Sequence, residues 1–163
     1  MFYMTFRRLT MALFTAIALA CLVPAAVVQA GTPGSTSEVN VDEHGLALRG
    51  YDPVAYFDGS KPTHGVATIS ATYGGAHYYF ASEAHRATFL ANPAQYVPQF
   101  GGYCALGASE GEKVDANPET GKVVNGKLYV NYNEKAKAIF DKDTPATIAK
   151  AEENWPKIKD KAQ

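Results

Sequence analysis

Cys104 and His85 are the two side chains of this sequence best suited to chemistry. Cys104 stands in "GGYCALG", near the N-terminus of a short helix expected around residues 104–108. Backbone N–H groups and the helix dipole can stabilise a thiolate there, which suits a soft ion such as Cu(I) or a redox-active sulfur. The competing account is a small core residue, because free cysteine is among the most buried side chains. His85 lies three residues beyond Ser82 on an expected helix, so a ligand at that position would project from rigid structure. Its bland alternative is a helix-surface histidine or a satisfied core one. His77 begins a strand two positions before Tyr79, which puts both on one face. Tyr51 and Tyr103 are candidates to line a pocket beside Cys104, and His77 is the remaining polar candidate for it. Strand packing accounts for the same tyrosines without any pocket. His44 and His64 sit beside glycines in loops, Asp58 and Asp115 are placed in or near loops, and Asp52 before Pro53 reads as a turn residue bonding nearby backbone.

Several reaction classes fall away. The chain has no CxxC, so a thioredoxin-like exchange lacks its resolving thiol, and no CxxCH for haem attachment. There is no P-loop and no GxGxxG. No HxH or HxxxH spacing occurs, and a zinc hydrolase needs three protein ligands with one open position. The lysines between Lys150 and Lys161 alternate with Glu152, Glu153 and Asp160, which makes a solvated helix face.

The elements that must position Cys104 and His85 are readable from local signals. Val66–Tyr73 alternates, Gly74-Gly75 makes a two-residue turn, and "AHYYFA" returns as the second strand. Ser82 caps a helix running to Asn92, whose apolar face is read as Ala84, Ala87, Phe89 and Leu90. Pro93 stops it and begins a turn around Tyr96. Asn125-Gly126 joins Lys122–Val124 to Lys127–Tyr132 as a second hairpin, and Asn133 caps a helix through Phe140. Thr144-Pro145 opens the last helix, with Ile148, Ala151 and Trp155 apolar and Pro156 a possible interruption. "YDPVAYF" at 51–57 opens the domain with a turn leading into a short strand. The expected fold is a small single α+β domain with two β-hairpins and about four helices, and no internal repeat is evident.

The first 30 residues read differently. Arg7 and Arg8 precede an apolar run from Met11 to Val23, Pro24 breaks it, and "AVVQA" ends in small residues at Ala30. That is the layout of a secretory signal peptide cleaved after Ala30, and the apolar run is short for a membrane span. The paired arginines leave both general and twin-arginine export open. Residues 31–40, "GTPGSTSEVN", read as a flexible tether, and 41–163 as the domain. Cleavage removes Cys21 and both leader arginines. The mature chain then holds one cysteine, with 13 Lys and Arg against 16 Asp and Glu, a net charge of −3. That balance argues against a nucleic-acid binder and leaves no intramolecular disulfide.

The stretch from Tyr51 to Tyr96 resembles the YHS domain. "YDPVAYF" at 51–57, "GGAHYYFASEAHRATFLANPAQY" at 74–96 and the hairpin-then-helix order carry the match. The downstream "PQFGGYCA", "NGKLYVNY" and "NWP" are similar to the extended exported bacterial members. The resemblance implies a metal-binding module of copper-handling and related proteins. In cysteine-bearing relatives one Cys follows "DPV" and two more flank the start of the helix after the "YF" strand. The corresponding residues here are Ala55, Ala81 and His85, so two of the three implied ligands are absent and that site is not inherited unchanged.

The leading expectation is therefore a periplasmic or secreted YHS-type module without turnover of its own. It holds a transition metal, copper ahead of zinc, through Cys104 and His85, and works with a redox or metal-handling partner protein. The alternatives are a thiol-redox protein using Cys104, and a structural or interaction domain with Cys104 buried. No nucleic acid and no stable membrane span after cleavage are expected.

Overall fold

A computed structural model describes residues 35–163; the leader and the first residues of the tether lie outside the described residues. Two antiparallel hairpins and five helices form a mixed α+β domain. In chain order these are β1 (Val66–Tyr73), β2 (Ala76–Phe80), α1 (Glu83–Ala91), α2 (Pro93–Tyr96), α3 (Ala105–Glu110), β3 (Asn117–Val124), β4 (Lys127–Asn131), α4 (Glu134–Lys142) and α5 (Thr144–Ile158). Both hairpin turns form where glycine or asparagine can take positive φ: Gly74 and Gly75 at 58° and 80°, Asn125 and Gly126 at 50° and 73°. Ser82 and Asn133 cap α1 and α4 by accepting from the N–H of His85 and Ala136. Pro156 sits inside α5 without ending it.

The architecture repeats, although the sequence shows no evident repeat. β1–β2 pairs Tyr73 with Ala76, Ala71 with Tyr78 and Val66 with Phe80. β3–β4 pairs Val124 with Lys127, Lys122 with Tyr129 and Asn117 with Asn131, each pair displaced by 51 residues and each ladder irregular at the same place. The helix that follows each hairpin buries one phenylalanine, Phe89 or Phe140. Its ring meets a buried strand tyrosine at the same 37° inclination: Tyr78 at 5.2 Å and Tyr129 at 5.9 Å between centroids. Both helices end on a residue of matching conformation, Asn92 and Asp143.

Each unit also begins alike. The entering segment adds a parallel contact to its hairpin, through Ala47 N–H to His77 O and Gln99 N–H to Leu128 O. It then passes through three residues of left-handed backbone, Leu48-Arg49-Gly50 in the first unit and Phe100-Gly101-Gly102 in the second. Non-glycine residues there cost roughly 1–2 kcal/mol each. Leu48 and Phe100 bear that cost with buried side chains in adjoining parts of the core. The next residue is a tyrosine, Tyr51 or Tyr103, and the one after it is Asp52 or Cys104.

Three expectations change. Residues 53–59 form consecutive turns and no strand, because the Asp52 carboxylate accepts from Val54 N–H and Phe57 N–H returns to Val54 O. Residues 35–40 are held against the domain: Ser35 is buried, Asn40 N–H donates to Gly101 O, and Ser37 O accepts from the Tyr103 hydroxyl. On α1, Ala84, Ala87 and Leu90 face solvent, and the inward side is His85, Arg86 and Phe89. Phe89 sets that rotation by filling the core between Tyr78 and Phe80, and His85, one turn earlier, is carried over the chain at Asp52. On α5 the expected face holds, with Ala151 buried and Ile148 and Trp155 packed on the same cluster.

The structural equivalence predicts equivalent energetics. Phe89→Ala and Phe140→Ala each lose a fully buried ring and are expected to cost about 3–5 kcal/mol. Urea unfolding of the two variants checks this, and a near-neutral result for either would break the correspondence between the units.

Candidate functional site

Asp52 is fully buried, and its carboxylate meets three donors. Oδ1 accepts from Val54 N–H at 2.8 Å, while Oδ2 accepts from Ala81 N–H at 2.8 Å and lies 2.7 Å from His85 Nδ1. A buried carboxylate needs such partners, since desolvation without them is expensive. The arrangement arises locally. The left-handed turn aims residue 52 inward, β2 ends so that Ala81 presents its N–H, and the Ser82 cap starts α1 with His85 in its first turn. The His85 ring is thus fixed at Nδ1. Its Nε2 lies 3.5 Å from Asp58 Oδ2, at a side chain still 25% exposed. An imidazole oriented by a carboxylate through one nitrogen presents the other for a proton or a metal ion. Asp58 is an ionised neighbour, held below the usual carboxylate range chiefly by bonds from Ser60.

Cys104 occupies the corresponding position of the second unit, 2% exposed. Its sulfur accepts from Gly107 N–H at 3.3 Å and from Tyr132 N–H at 3.2 Å, and the thiol faces Asn131 Oδ1 at 3.8 Å. Tyr132 is the counterpart of Ala81, the first residue beyond the returning strand. Asn131 Oδ1 also accepts from Leu106 N–H at 3.2 Å, the counterpart of Val54. The work done by one carboxylate in the first unit is therefore shared here between a thiol and a side-chain amide. The expected helix after Cys104 forms as α3, and its backbone does reach the sulfur. Burial nevertheless dominates and pushes the thiol pKa up, against the thiolate expected from the helix position.

The candidate residues do not converge. Cys104 and His85 have no polar partner in common, each being engaged within its own unit. Tyr51 stacks on His64 with centroids 3.9 Å apart and donates to Glu119. Tyr103 is buried against Trp155 with its hydroxyl on Ser37 O. His77 is exposed and pairs with Thr72 Oγ1, on the strand face it shares with half-buried Tyr79. Three surface cavities, of about 210, 300 and 370 Å³, are lined by none of Tyr51, His77, His85, Tyr103 or Cys104. Among the described residues no group of three or more His, Cys, Asp or Glu side chains is arranged to hold a metal ion. Asn131 carries no signal in the sequence, where it reads only as the end of "KLYVN"; the register of β4 on β3 is what points it inward.

No protein-family model matches the chain, and neither the curated proteins nor the solved structures contain a match. The site is therefore interpreted from its geometry.

Two outcomes are expected. Asp52→Ala strands the buried Val54 N–H, the part-buried Ala81 N–H and the His85 ring, at a cost of about 3–5 kcal/mol in urea unfolding. For Cys104 the folded pKa is raised, so the unfolded chain loses its thiol proton first and stability falls as pH rises above about 8.5. Comparing the pH dependence of stability with that of Cys104→Ala above pH 8 isolates this effect, which the variant should lack.

Proposed function

We propose that this chain is an exported, YHS-type binding module without turnover, whose working group is the His85 imidazole and whose ligand is a divalent transition metal. One observation carries the reading: a histidine on a rigid helix, tied at Nδ1 to a fully buried carboxylate, with Nε2 turned to a second carboxylate at a partly open surface. A histidine that ligates a metal usually donates its other N–H to a carboxylate in this way. The separation of 3.5 Å between Nε2 and Asp58 Oδ2 is near the ~3.3 Å edge of a tetrahedral site with bonds of about 2.0 Å. Imidazole and carboxylate suit Cu(II) and Zn(II), and the stability order of divalent ions puts copper first.

The donor set also bounds the site. His85 and Asp58 are two protein ligands, so water or a donor from a partner protein must complete the coordination. Such a site suits a carrier or sensor that exchanges its ion, since the affinity of two ligands is modest. The Cu(I)–thiolate arrangement expected at Cys104 has less support, because that sulfur is enclosed by backbone N–H groups and held as a thiol. Export rests on the leader's sequence pattern alone. Among the described residues no helix is long and apolar enough to cross a membrane.

Titration of the protein with Cu(II) against a competing chelator tests the reading. One ion per chain is expected, with binding lost in His85→Ala, weakened about tenfold in Asp58→Asn and unchanged in Cys104→Ser. Binding that survives His85→Ala, or no binding at all, would overturn it.

A further inference from the structure

The seam between the two units holds a cavity of about 210 Å³. One side is the chain entering the first unit, from Asn40 to Arg49, and the other is the chain around the start of β3 with Val130 of β4. None of its lining residues belongs to the His85 site. Val41, Leu46, Leu48, Ala116 and Val130 supply an apolar lining, and charge of both signs stands on it. Asp115 fixes the Arg49 guanidinium through Nη2, 2.6 Å from Oδ2, and is itself held by Asn40 Nδ2 at 2.8 Å and Ala116 N–H at 2.7 Å. The other N–H donors of Arg49 have no hydrogen-bond partner among the described residues. Asp42 spends Oδ1 on the N–H groups of His44 and Leu46, and its Oδ2 is likewise unpartnered there.

Arg49 holds this place against its own backbone. Its φ of 48° is left-handed and strained for any residue but glycine. Gly101, the equivalent residue of the second unit, takes 60° without that strain. An exposed ion pair such as Arg49–Asp115 contributes too little to offset it, so the pair alone does not account for an arginine here. Strained residues of this kind cluster at ligand clamps.

We propose that the cavity binds a free α-amino acid with a small aliphatic side chain. Its carboxylate meets Arg49, its ammonium meets Asp42 Oδ2, and its side chain packs on Leu46, Leu48 and Val130. A ligand charged at one end only would displace water from the guanidinium or from the Asp42 carboxylate without replacing it, and a zwitterion satisfies both. The planar fork of a guanidinium suits a carboxylate. Volume sets the size: a cavity of about 150 Å³ takes benzene, so 210 Å³ takes about eight non-hydrogen atoms, the size of valine.

Equilibrium dialysis of the metal-free protein against L-valine tests this. Isovalerate and isobutylamine serve as the same skeleton without the ammonium or without the carboxylate. One valine per chain is expected, and each analogue should bind at least about tenfold more weakly, since each loses a charge-assisted hydrogen bond. Arg49→Gly should abolish valine binding yet melt within a few degrees of the parent, because glycine suits the backbone there. Asp42→Asn keeps an Oδ1 acceptor for His44 and Leu46, and should weaken valine about tenfold while leaving isovalerate unchanged. No valine binding at about 10 mM would overturn the proposal. Valine binding undiminished in Arg49→Gly, or an analogue bound as tightly as valine, would do the same.

Discussion

Each unit of this fold turns on one buried acceptor placed just after a left-handed turn. Asp52 in the first unit and Cys104 in the second receive the N–H that the chain presents as it leaves the hairpin and enters a helix. That N–H cannot join the strand ladder, which has ended, or the helix, which has not begun. Burying it unpaired would cost on the order of 1–3 kcal/mol. Satisfying it ties the turn, the hairpin and the following helix into one body, and explains why the chain accepts left-handed backbone at Leu48 and Phe100. The turn is what brings the acceptor inward.

The same requirement separates the two units chemically. A carboxylate at position 52 satisfies two backbone donors and still attracts a third, and the first turn of α1 supplies it as His85. At the position equivalent to His85 the second unit has Ala136, capped by Asn133 but without a polar side chain. There the acceptor is a neutral thiol, and the second backbone donor is taken by Asn131. One unit thus has a carboxylate–imidazole pair that reaches the surface, and the other buries a thiol–amide cluster. A partly exposed imidazole and a sulfur shielded from bulk solvent are two outcomes of one backbone plan.

Much of the local structure was legible because its signals are local. Gly74-Gly75 and Asn125-Gly126 specify turns of positive φ, Ser82 and Asn133 specify caps, and neither depends on distant residues. The repeat was hidden for a related reason. It resides in backbone conformation and pairing register, while the residues carrying it change type: Phe80 corresponds to Asn131, Asp52 to Cys104, His85 to Ala136. What persists in kind is the aromatic pair of strand and helix, and the glycine and tyrosine that close each left-handed turn. The orientation of α1 differs from the expectation because three small or aliphatic residues, Ala84, Ala87 and Leu90, suggest an apolar stripe. Phe89 buries more area than any of them and decides the rotation, which is also what brings His85 inward. Asp52 was legible as a turn residue through its bond to Val54, but its contacts with Ala81 and His85 span 29 and 33 residues of sequence.

The segments flanking the two units show how a domain of this size closes over such polar interiors. Lys113, buried on the loop after α3, donates to the carbonyls of Lys159 and Lys161 at the end of α5 and to Ser35 O, with its ammonium 4.9 Å from the Tyr103 ring centre. Helix C-termini carry partial negative charge and unpaired carbonyls, so a cation there satisfies both. Desolvation lowers the Lys113 pKa, yet every bond it makes is to a carbonyl that has no strand or helix partner of its own. The residue therefore fastens the segment before the first unit to the helix that completes the second. Ser37 O accepts from the Tyr103 hydroxyl beside it, so this closure reaches the residue directly before Cys104. The packing of residues 35–37 is in that sense continuous with the second unit, which it joins through the tyrosine that precedes the buried thiol.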